Sequence, residues 1–418
     1  MILPAPKLEP IEAARRLAGQ PGRFLLHSAS DADGVGRWSF VSARPSRVLR
    51  ASDHPDPFVA AAAFAADGVL DAAPAPRAVG FFGYECNRAV ESLPGARPRL
   101  TPDVWFGVYD AVWRSDGVSA HIVGTRRAAC EELAAALERP STPAHPPRFG
   151  PLVPEADAGV YLDGVRRVLD YIRAGDVYQV NLSRRLAAPV VADGDALELH
   201  AALLPAPYGA LLEIGDAAVV ANTPELFLRR APGDSRVETR PIKGTAARAA
   251  DPSALAADEK ERAEHLMIVD LLRNDLGRVA EIGSVRVDGF ARVVSLPTVH
   301  HLVSTVSCRP RGGVADLLRA TFPGGSITGA PKVRAMQIID ELEPSARGVY
   351  TGALGWLGAG GTLDLAVVIR TAVLAGGRLT LAVGGGIVAD STPEREFEET
   401  EEKAAAWRRA LLRFGTAG

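Results

Sequence analysis

Apolar residues recur along this chain of 418 residues at two spacings, which predict two kinds of secondary structure. Short runs rich in β-branched and aromatic residues, such as 104–113, predict strands. Apolar positions three and four residues apart, as in 158–173, predict helices that bury one face. The segment 258–273 is apolar all round at its centre, which predicts a buried helix. Both kinds of pattern occur throughout, so the chain is predicted to form an α/β fold.

The predicted elements lie on both sides of residue 139. Before it, helices are predicted at 12–18 and 128–138, and strands at 23–28, 78–85, 104–113 and 121–123. After it, helices are predicted at 158–173, 196–204, 258–273, 314–320, 331–342 and 392–414. The strands predicted there are 177–183, 210–214, 217–221, 225–229, 284–287, 299–307, 352–357, 363–374 and 379–383.

The clearest interruption of these patterns is a stretch at residues 139–155 that holds six prolines. Proline excludes a helix and keeps the preceding residue extended, so this stretch is predicted to be a linker. We place it between an N-terminal α/β region, residues 1–138, and a catalytic domain, residues 156–414.

Composition and charge exclude several classes of protein. The net charge of -3 and the lack of a Lys/Arg-rich run argue against nucleic-acid binding. No apolar run is long enough for a membrane span. The three cysteines, Cys86, Cys130 and Cys308, have neither disulfide nor metal-site spacing, which fits a reduced cytoplasm. We therefore expect a cytoplasmic protein that binds neither nucleic acid nor membranes.

One lysine has an unusual setting, between a proline and a glycine in the stretch 239–245. Pro241 fixes its own φ and cannot donate to a sheet ladder, so it marks the edge or end of a strand. Gly244 lets another group approach the backbone closely. We expect Lys243 to be held on a stiff turn; the alternative is an ordinary solvated loop lysine.

Carboxylates cluster on two predicted helices. Glu396 and Glu399, three residues apart, border the apolar stripe of the last helix, and Glu261 and Glu264 do the same on 258–273. Such carboxylates on two helices can build a hard-cation site, and Mg²⁺ fits because it takes few carboxylates and keeps waters for a substrate. The alternative is a solvated charged face favoured by the helix dipole.

Several features predict a bound anion. Residues 324–332 lack the Lys-Ser/Thr of a Walker loop, but they expose N–H groups at a helix N-terminus with Lys332 in its first turn. The glycines 384–386 offer a second set of amides. Arg370, at the end of an apolar strand, requires either an anion or an internal ion pair. Together with Lys243, these features predict a site for a small dicarboxylate with Mg²⁺.

At this point the chain resembles a known family, the chorismate-utilising enzymes, and within it the aminodeoxychorismate synthase component I (the para-aminobenzoate synthase large subunit). The matching motifs run in the family's order and are jointly specific. They are 176–183, 240–245, 263–275, 301–304, 323–332, 369–371 and 384–391. The resemblance implies an anthranilate synthase component I-like α/β sandwich, in which two large β-sheets face each other with helices outside and the site lies between the sheets.

The resemblance also implies roles for individual residues. Glu264 and Glu399 match the family's Mg²⁺ ligands, which hold the ring carboxylate of chorismate. Glu225 matches the general acid for the departing C4 hydroxyl; its alternative is a surface carboxylate on an edge strand. The remaining matches are substrate contacts: Arg370, Tyr350, Gly385 and Gly386 at the enolpyruvyl carboxylate, and His301 and Thr328 near the ring.

Lys243 selects a branch of the family. Anthranilate synthases carry alanine here, whereas a lysine resembles the branch in which the amine attacks C2 of the ring as the C4 hydroxyl leaves. Ammonia then adds at C4 and expels the lysine, giving 4-amino-4-deoxychorismate. This chemistry requires a neutral amine, although a lysine in water is protonated at pH 7. The alternatives are another chorismate aminase, making anthranilate or 2-amino-2-deoxyisochorismate, and a chorismate-binding subunit without catalysis.

Two expectations concern partners and regulation. No Gly-x-Cys-x-Gly nucleophile elbow surrounds any cysteine, so ammonia is expected from a separate glutaminase subunit, as the family implies. Many relatives have Leu-Leu-Glu-Ser in a tryptophan-binding pocket near the N-terminus. Here the stretch reads Leu25-Leu26-His27-Ser28, which leaves a bound tryptophan unassigned.

Overall fold

The computed structural model describes residues 1–28, 36–52, 54–66, 74–95, 97–142, 144–204, 206–296 and 299–414. Within these ranges the chain forms two large β-sheets, one of 13 strands and one of 10, which we name sheet A and sheet B. None of the helices in this described part is long and apolar enough to cross a membrane.

The strands and helices are numbered in chain order. Sheet A contains β1 (Ile2–Pro4), β2 (Phe24–His27), β3 (Ser39–Ser42), β7 (Ala111–Ser115), β8 (Ala120–Gly124), β9 (Arg148–Phe149), β10 (Val153–Pro154), β11 (Gln179–Ala192), β12 (Tyr208–Glu213), β13 (Ala218–Thr223), β19 (Gly329–Ala330), β22 (Thr371–Ala375) and β23 (Arg378–Ile387). Sheet B contains β4 (Arg47–Ala51), β5 (Ala78–Phe82), β6 (Val104–Val108), β14 (Leu226–Arg230), β15 (Val237–Arg240), β16 (Ile242–Ala247), β17 (Arg286–Ser295), β18 (Val299–Cys308), β20 (Ala353–Leu357) and β21 (Leu363–Val367). The helices are α1 (Pro10–Arg15), α2 (Pro57–Ala66), α3 (Arg127–Glu138), α4 (Ala158–Ala174), α5 (Ala196–Ala201), α6 (Pro252–Ala257), α7 (Glu259–Gly277), α8 (Val314–Thr321), α9 (Lys332–Leu342) and α10 (Pro393–Leu412).

Neighbouring strands pair antiparallel, as β11 does with β23 over ten residue pairs. The order in sheet A is β1-β8-β7-β3-β2-β12-β13-β22-β23-β11-β10, with β9 and β19 also paired to β11. The order in sheet B is β16-β18-β15-β14-β21-β20-β5-β6-β4, with β17 also paired to β18. Both sheets therefore combine strands that are far apart in the chain.

The alternation of side chains along a strand explains how the two sheets and the helices pack. In β5, Val79 and Phe81 point between the sheets and share one cluster with Phe24 of sheet A. The flanking positions Ala78 and Phe82 point outward, where Phe82 lies 5.3 Å from Phe58 of α2, measured between ring centroids. The predicted sandwich, with facing sheets and helices outside, is confirmed.

The stretch 139–155, predicted as a linker, contributes the short strands β9 and β10, which both pair with β11. Each sheet contains strands from before and after this stretch. The division into residues 1–138 and 156–414 is therefore a division along the chain and not one between separate sheets. The assignment of catalysis to the second part stays a prediction.

Two of the short segments that carry the chain from one sheet to the other hold predicted site residues. Pro224 and Glu225 connect β13 of sheet A to β14 of sheet B, and residues 368–370 connect β21 of sheet B to β22 of sheet A. The single strand predicted at 363–374 is therefore wrong. The strand predicted at 104–113 is wrong for the same reason, since it is β6 of sheet B followed by β7 of sheet A. The chain turns at Arg370, whose φ of 50° lies in the left-handed region that a strand does not use.

Candidate active site

The two crossovers lie side by side, and each carries a predicted site residue. Thr223 donates its hydroxyl to the carbonyl of Val367 (2.7 Å), and the amide of Val367 donates to the carbonyl of Glu225 (3.0 Å). The amide of Asn222 donates to the carbonyl of Arg370 (3.2 Å). These bonds bring Glu225 and Arg370 together at the point where the chain leaves each sheet.

The carboxyl group of Glu225 is buried, with 5% of the residue exposed, so the alternative of a surface carboxylate is wrong. Ser326 donates a hydrogen bond of 2.6 Å to its Oε1 atom. Burial raises the pKa of Glu225 to about 7, although this hydrogen bond and the charges of Lys243 and Arg370 oppose the rise. A carboxyl group that titrates near neutral pH is suited to proton transfer.

Lys243 lies in β16, opposite Leu302 of β18, and not on the stiff turn that the sequence predicts. Pro241 separates β15 from β16, and the register shifts next to Gly244, whose φ is 68°. This bulge changes the direction in which the side chains on either side of it point. The Nζ atom of Lys243 lies 3.9 Å from Oε2 of Glu264 on α7, and 17% of its side chain is exposed. The alternative of a solvated lysine is therefore wrong.

Glu261 and Glu264 of α7 lie near Glu396 and Glu399 of α10, and we name these four residues the acidic cluster. Burial raises the pKa of Glu261, and the charges of Glu264 and Glu399 raise it further. Burial also raises the pKa of Glu396, with added contributions from Glu399 and Glu264. Their mutual influence on protonation shows that carboxylates from the two helices converge, as the sequence predicts.

Across the described ranges, no three His, Cys, Asp or Glu side chains are arranged to hold a metal ion directly. Mg²⁺ needs only one or two protein carboxylates, since it keeps several waters and binds substrate oxygens. Two observations fit a hard cation at the acidic cluster. The Oε2 atom of Glu396 is buried without a hydrogen-bond partner among the described residues. The four carboxylates also outnumber the two lysines beside them, Lys243 next to Glu264 and Lys403 next to Glu399.

Gly385 and Gly386 lie within β23, paired with β11, and not in a loop of free amides. A Cβ atom at Gly385 would lie 3.1 Å from Oε2 of Glu396 and 3.5 Å from Oε1 of Glu399. A Cβ atom at Gly386 would lie 3.0 Å from the amide group of Gln179. The two glycines therefore let the acidic cluster and Gln179 pack closely against the backbone of β23, where a larger residue would collide with them.

The loop before α9 lies against the start of β11. Its residues Gly325–Ile327 form a 3₁₀ turn, and Thr328 is fully buried. The hydroxyl of Thr328 donates to the carbonyl of Gly324 (3.0 Å), and its carbonyl accepts from the amide of Asn181 (2.8 Å). The loop thus places Thr328 beside β11 and Ser326 beside Glu225.

Lys332 turns away from these residues. Its Nζ atom lies 2.6 Å from Oδ2 of Asp275 on α7 and donates to the carbonyl of Thr321 (3.1 Å). Burial lowers the pKa of Lys332, and the charge of Asp275 opposes this effect. The structure does not bring this predicted substrate contact to Glu225 and Lys243.

His301 of β18 presents a neutral ring. Its Nδ1 atom lies 3.0 Å from the hydroxyl of Thr245, and its Nε2 atom is buried without a partner in the described part of the chain. Burial lowers the pKa of His301 to about 4, and the charge of Arg370 lowers it further. Because Arg370 influences both His301 and Glu225, the three predicted residues belong to one site.

Sequence reasoning missed three side chains of this site. Gln179 is fully buried, and neither polar atom of its amide has a partner within the described ranges. Lys403 has Nζ 2.5 Å from Oε1 of Glu399 and donates to the carbonyl of Gly384 (2.7 Å). The third is Ser326. The spacing of four residues from Glu399 is a signal for Lys403, whereas the contact of Ser326 spans 101 residues and leaves no local signal.

Two clefts are relevant to access. One of about 410 Å³ is lined by His301 and by Pro224 and Ile242, the sequence neighbours of Glu225 and Lys243, which do not line it themselves. A larger cleft of about 640 Å³ lies between α4 and β11 and includes none of the predicted site residues. Of these two clefts, only the smaller one includes a predicted site residue, His301.

Comparison with known proteins agrees with this geometry. A family model described as chorismate binding enzyme matches residues 24–409. The chain is 38% identical to the aminodeoxychorismate synthase component 1 of Klebsiella aerogenes, over 93% of both chains. It is 37% identical to the anthranilate synthase component 1 of Pseudomonas aeruginosa, over 96% of this chain and 92% of that one.

A solved structure is similar as well. The crystal structure of anthranilate synthase component I from Streptococcus pneumoniae TIGR4 aligns with a TM-score of 0.80 at 31% identity, covering 96% of this chain and 98% of that one. This confirms the predicted fold class. Because relatives of both branches are similarly close, identity alone does not choose between them.

Proposed function

Since this chain belongs to the family of chorismate binding enzymes, we propose that it aminates chorismate at C4 with ammonia and forms 4-amino-4-deoxychorismate. The observation that carries the proposal is the position of Lys243. Its amine lies in the same site as Glu225, a buried carboxyl group that titrates near neutral pH. The relatives named aminodeoxychorismate synthase component 1 support the same reaction.

In this proposal Lys243 is the nucleophile and Glu225 the general acid. Nζ of Lys243 forms a bond to C2 of the ring while Glu225 gives its proton to the C4 hydroxyl, which leaves as water. Ammonia then forms a bond at C4 as the bond between C2 and Lys243 breaks. The carboxylate of Glu225 takes the proton that the new amine releases. The lysine is regenerated, and the net change replaces one hydroxyl group by one amino group.

The other side chains bind and orient the substrate. Arg370 and Tyr350, with the backbone at Gly385 and Gly386, receive the enolpyruvyl carboxylate, for which an arginine fork has matching geometry. His301, neutral at the pH of catalysis, and Thr328 contact the ring region. Lys332 has a smaller part in this account, because it is bonded to Asp275.

Glu264 and Glu399 are the residues that would hold Mg²⁺, with Glu261 and Glu396 beside them. A bound Mg²⁺ supplies positive charge for the ring carboxylate of chorismate. Lys403 neutralises part of the charge of Glu399 and keeps α10 close to β23 through its bond to Gly384.

Ammonia is proposed to come from a separate glutaminase subunit. The relatives are named component 1, which implies a second component. Cys86, Cys130 and Cys308 are buried, so none has the exposed, activated thiol that glutamine hydrolysis requires. The product then serves the synthesis of para-aminobenzoate and folate.

The alternative that a specific observation favours is anthranilate formation, because anthranilate synthases are as similar as the other branch. Mass spectrometry of the product tests the proposal. The purified chain is supplied with chorismate, Mg²⁺ and concentrated ammonium at mildly alkaline pH, so that no partner is needed. We expect a product that has exchanged a hydroxyl for an amine, has kept its pyruvyl group and is converted to para-aminobenzoate by a lyase. Anthranilate, which has lost that group, would contradict the proposal.

A further inference from the structure

One buried arginine, Arg347, links segments that carry site residues. It follows α9 and precedes Tyr350, and 2% of its side chain is exposed. A guanidinium group has five N–H donors in a fixed fork. All five N–H groups of Arg347 donate hydrogen bonds within the protein, so none remains for a substrate.

Two of the donors hold the counter-ion. Nε donates to Oε2 of Glu343 (2.9 Å) and Nη2 to Oε1 (2.7 Å). The same Oε1 atom accepts from the amide and from the hydroxyl of Ser183 in β11, both at 2.8 Å. The ion pair is thus saturated with hydrogen bonds, which is the condition under which a buried pair is well ordered.

The other three bonds reach three different segments. Nη2 donates to the carbonyl of Asn181 (2.6 Å), which pairs with Gly386 in the ladder of β11 and β23. Nη1 donates to the carbonyl of Ile327 (3.1 Å), which lies between Ser326 and Thr328. Nη1 also donates to the hydroxyl of Thr351 (3.2 Å), the residue after Tyr350.

Thr351 is the most informative of these contacts. Its φ is 59°, which is an outlier for a β-branched residue and persists only where the surroundings fix it. Its hydroxyl donates to the carbonyl of Tyr350 (2.6 Å), and its amide donates to the carbonyl of Val368 (2.6 Å). Val368 begins the crossover that ends at Arg370, the other strained residue of the site.

We propose that Arg347 is a positioning residue, which holds the segments of Thr328, Gly386, Tyr350 and Arg370 at fixed separations without touching the substrate. The inference rests on the proposed function in one respect, namely that these residues bind chorismate. Each segment comes from a different part of the chain, and Arg347 is bonded to the neighbour of a site residue in three of them. The geometry of the pocket therefore depends on this one side chain.

The test replaces Arg347 by lysine and compares it with Arg23→Lys. Arg23 is a matched control because it is also buried, with 1% exposed, and also makes five hydrogen bonds, to Asp195, Glu213 and the carbonyl of Ala14. Both variants keep the positive charge of the side chain but lose the planar fork of N–H donors that arginine provides. We expect both to lower the Tm, but only Arg347→Lys to raise the KM for chorismate, by at least about tenfold.

A milder pair keeps the test decisive if Arg347→Lys does not fold. Thr351→Ala removes the hydroxyl that accepts from Arg347, and Thr321→Ala removes a buried hydroxyl that donates to Leu317 on α8. We expect Thr351→Ala to raise the KM about three- to tenfold and Thr321→Ala to leave it within twofold of the wild type.

The readout is consumption of chorismate, whichever product forms. A folded Arg347→Lys or Thr351→Ala variant with wild-type KM and kcat would overturn the positioning role, as would an equal rise of KM in the Arg23→Lys control. A wild-type chain that consumes no chorismate with ammonium and Mg²⁺ would contradict the proposed function and this inference together. Normal wild-type turnover with unaffected variants would contradict only this inference.

Discussion

The Nζ atom of Lys243 lies 3.9 Å from Oε2 of Glu264. The proposed nucleophile and a proposed metal ligand therefore share one wall of the site, although they lie in different elements, β16 and α7. A cation held by Glu264 would compete with the side chain of Lys243 for the same carboxylate. This relationship links metal binding to the reactivity of Lys243 and makes both open to test.

The first prediction concerns catalysis by Glu225. Glu225→Gln keeps an acceptor for the hydroxyl of Ser326 but cannot give a proton, so we expect kcat to fall about 10²- to 10⁴-fold. The wild type should lose activity as the pH rises above about 7, where Glu225 ionises, and the variant should lack this alkaline limb. Steady-state rates from pH 6 to 9 measure both effects.

Asp364→Asn is the matched control for this prediction. Burial also raises the pKa of Asp364 to about 7, but it lies on β21, away from the crossovers. Asp364→Asn should therefore still lose activity as the pH rises above about 7, as the wild type does. A Glu225→Gln enzyme with a rate within tenfold of the wild type would show that Glu225 is not the general acid.

The second prediction concerns stability. The pKa of Glu225 is raised from 4.5 to about 7 on folding, so its contribution is present in full below pH 4.5 and is lost as the pH rises through 7. At 1.36 kcal/mol per unit, the loss is about 3 kcal/mol. The free energy of unfolding of Glu225→Gln, minus that of the wild type, should rise by up to this amount between pH 4.5 and 8. Urea titrations at several pH values give this difference, and a value independent of pH would contradict the burial argument.

The third prediction concerns the acidic cluster. If Glu264 and Glu399 hold Mg²⁺, millimolar MgCl₂ should raise the Tm of the wild type, since a ligand that binds only the folded state stabilises it. Glu264→Gln and Glu399→Gln should abolish this rise. Glu398→Gln, an adjacent and exposed position on α10, is the control and should respond to MgCl₂ as the wild type does. An equal Mg²⁺ response in all four proteins would place the metal elsewhere.

The fourth prediction concerns the space at Gly385. Gly385→Ala introduces a Cβ atom 3.1 Å from Oε2 of Glu396, a contact that requires the carboxylate to shift by a few tenths of an ångström. We expect about tenfold lower activity and weaker Mg²⁺ binding with little change in Tm. Gly277→Ala, where a Cβ atom meets nothing within 4 Å, should keep full activity. Wild-type activity in Gly385→Ala would mean that the close approach of Glu396 to this backbone does not matter for function.

Local patterns predicted most elements, because burial of one face leaves a periodic signal. The helix predicted at 258–273 is observed as Glu259–Gly277, and the strand predicted at 299–307 as Val299–Cys308. The prediction that this helix is buried all round is wrong, since Leu266 at its apolar centre is 56% exposed. The strand predicted at 363–374 is two strands in different sheets. Its apolar run is continuous, and the turn depends on a positive φ at Arg370, which an arginine in the sequence does not signal.

The site was predictable only in part for a similar reason. Motifs identified Glu225, Lys243 and Arg370, and the structure brings them together. The bonds that set their environment, from Ser326 to Glu225 and from Arg347 to Asn181, span 101 and 166 residues. Such contacts are fixed by the topology of the fold, so the spacing of nearby residues in the sequence does not predict them. Lys332 was predicted to contact the substrate because it lies in a motif, but the structure pairs it with Asp275 instead.

The most direct test of the central claim is the product that Lys243→Ala forms from chorismate, Mg²⁺ and ammonium, measured by mass spectrometry beside the wild type. Lys260→Ala, an exposed lysine on the same α7 helix that carries Glu264, is the control. We predict that the wild type and the control form 4-amino-4-deoxychorismate, identified by its mass and by its conversion to para-aminobenzoate by a lyase. Lys243→Ala should form 4-amino-4-deoxychorismate at least about 100-fold more slowly. Any other product that this variant forms should be anthranilate. Formation of 4-amino-4-deoxychorismate by Lys243→Ala at the wild-type rate would contradict the account.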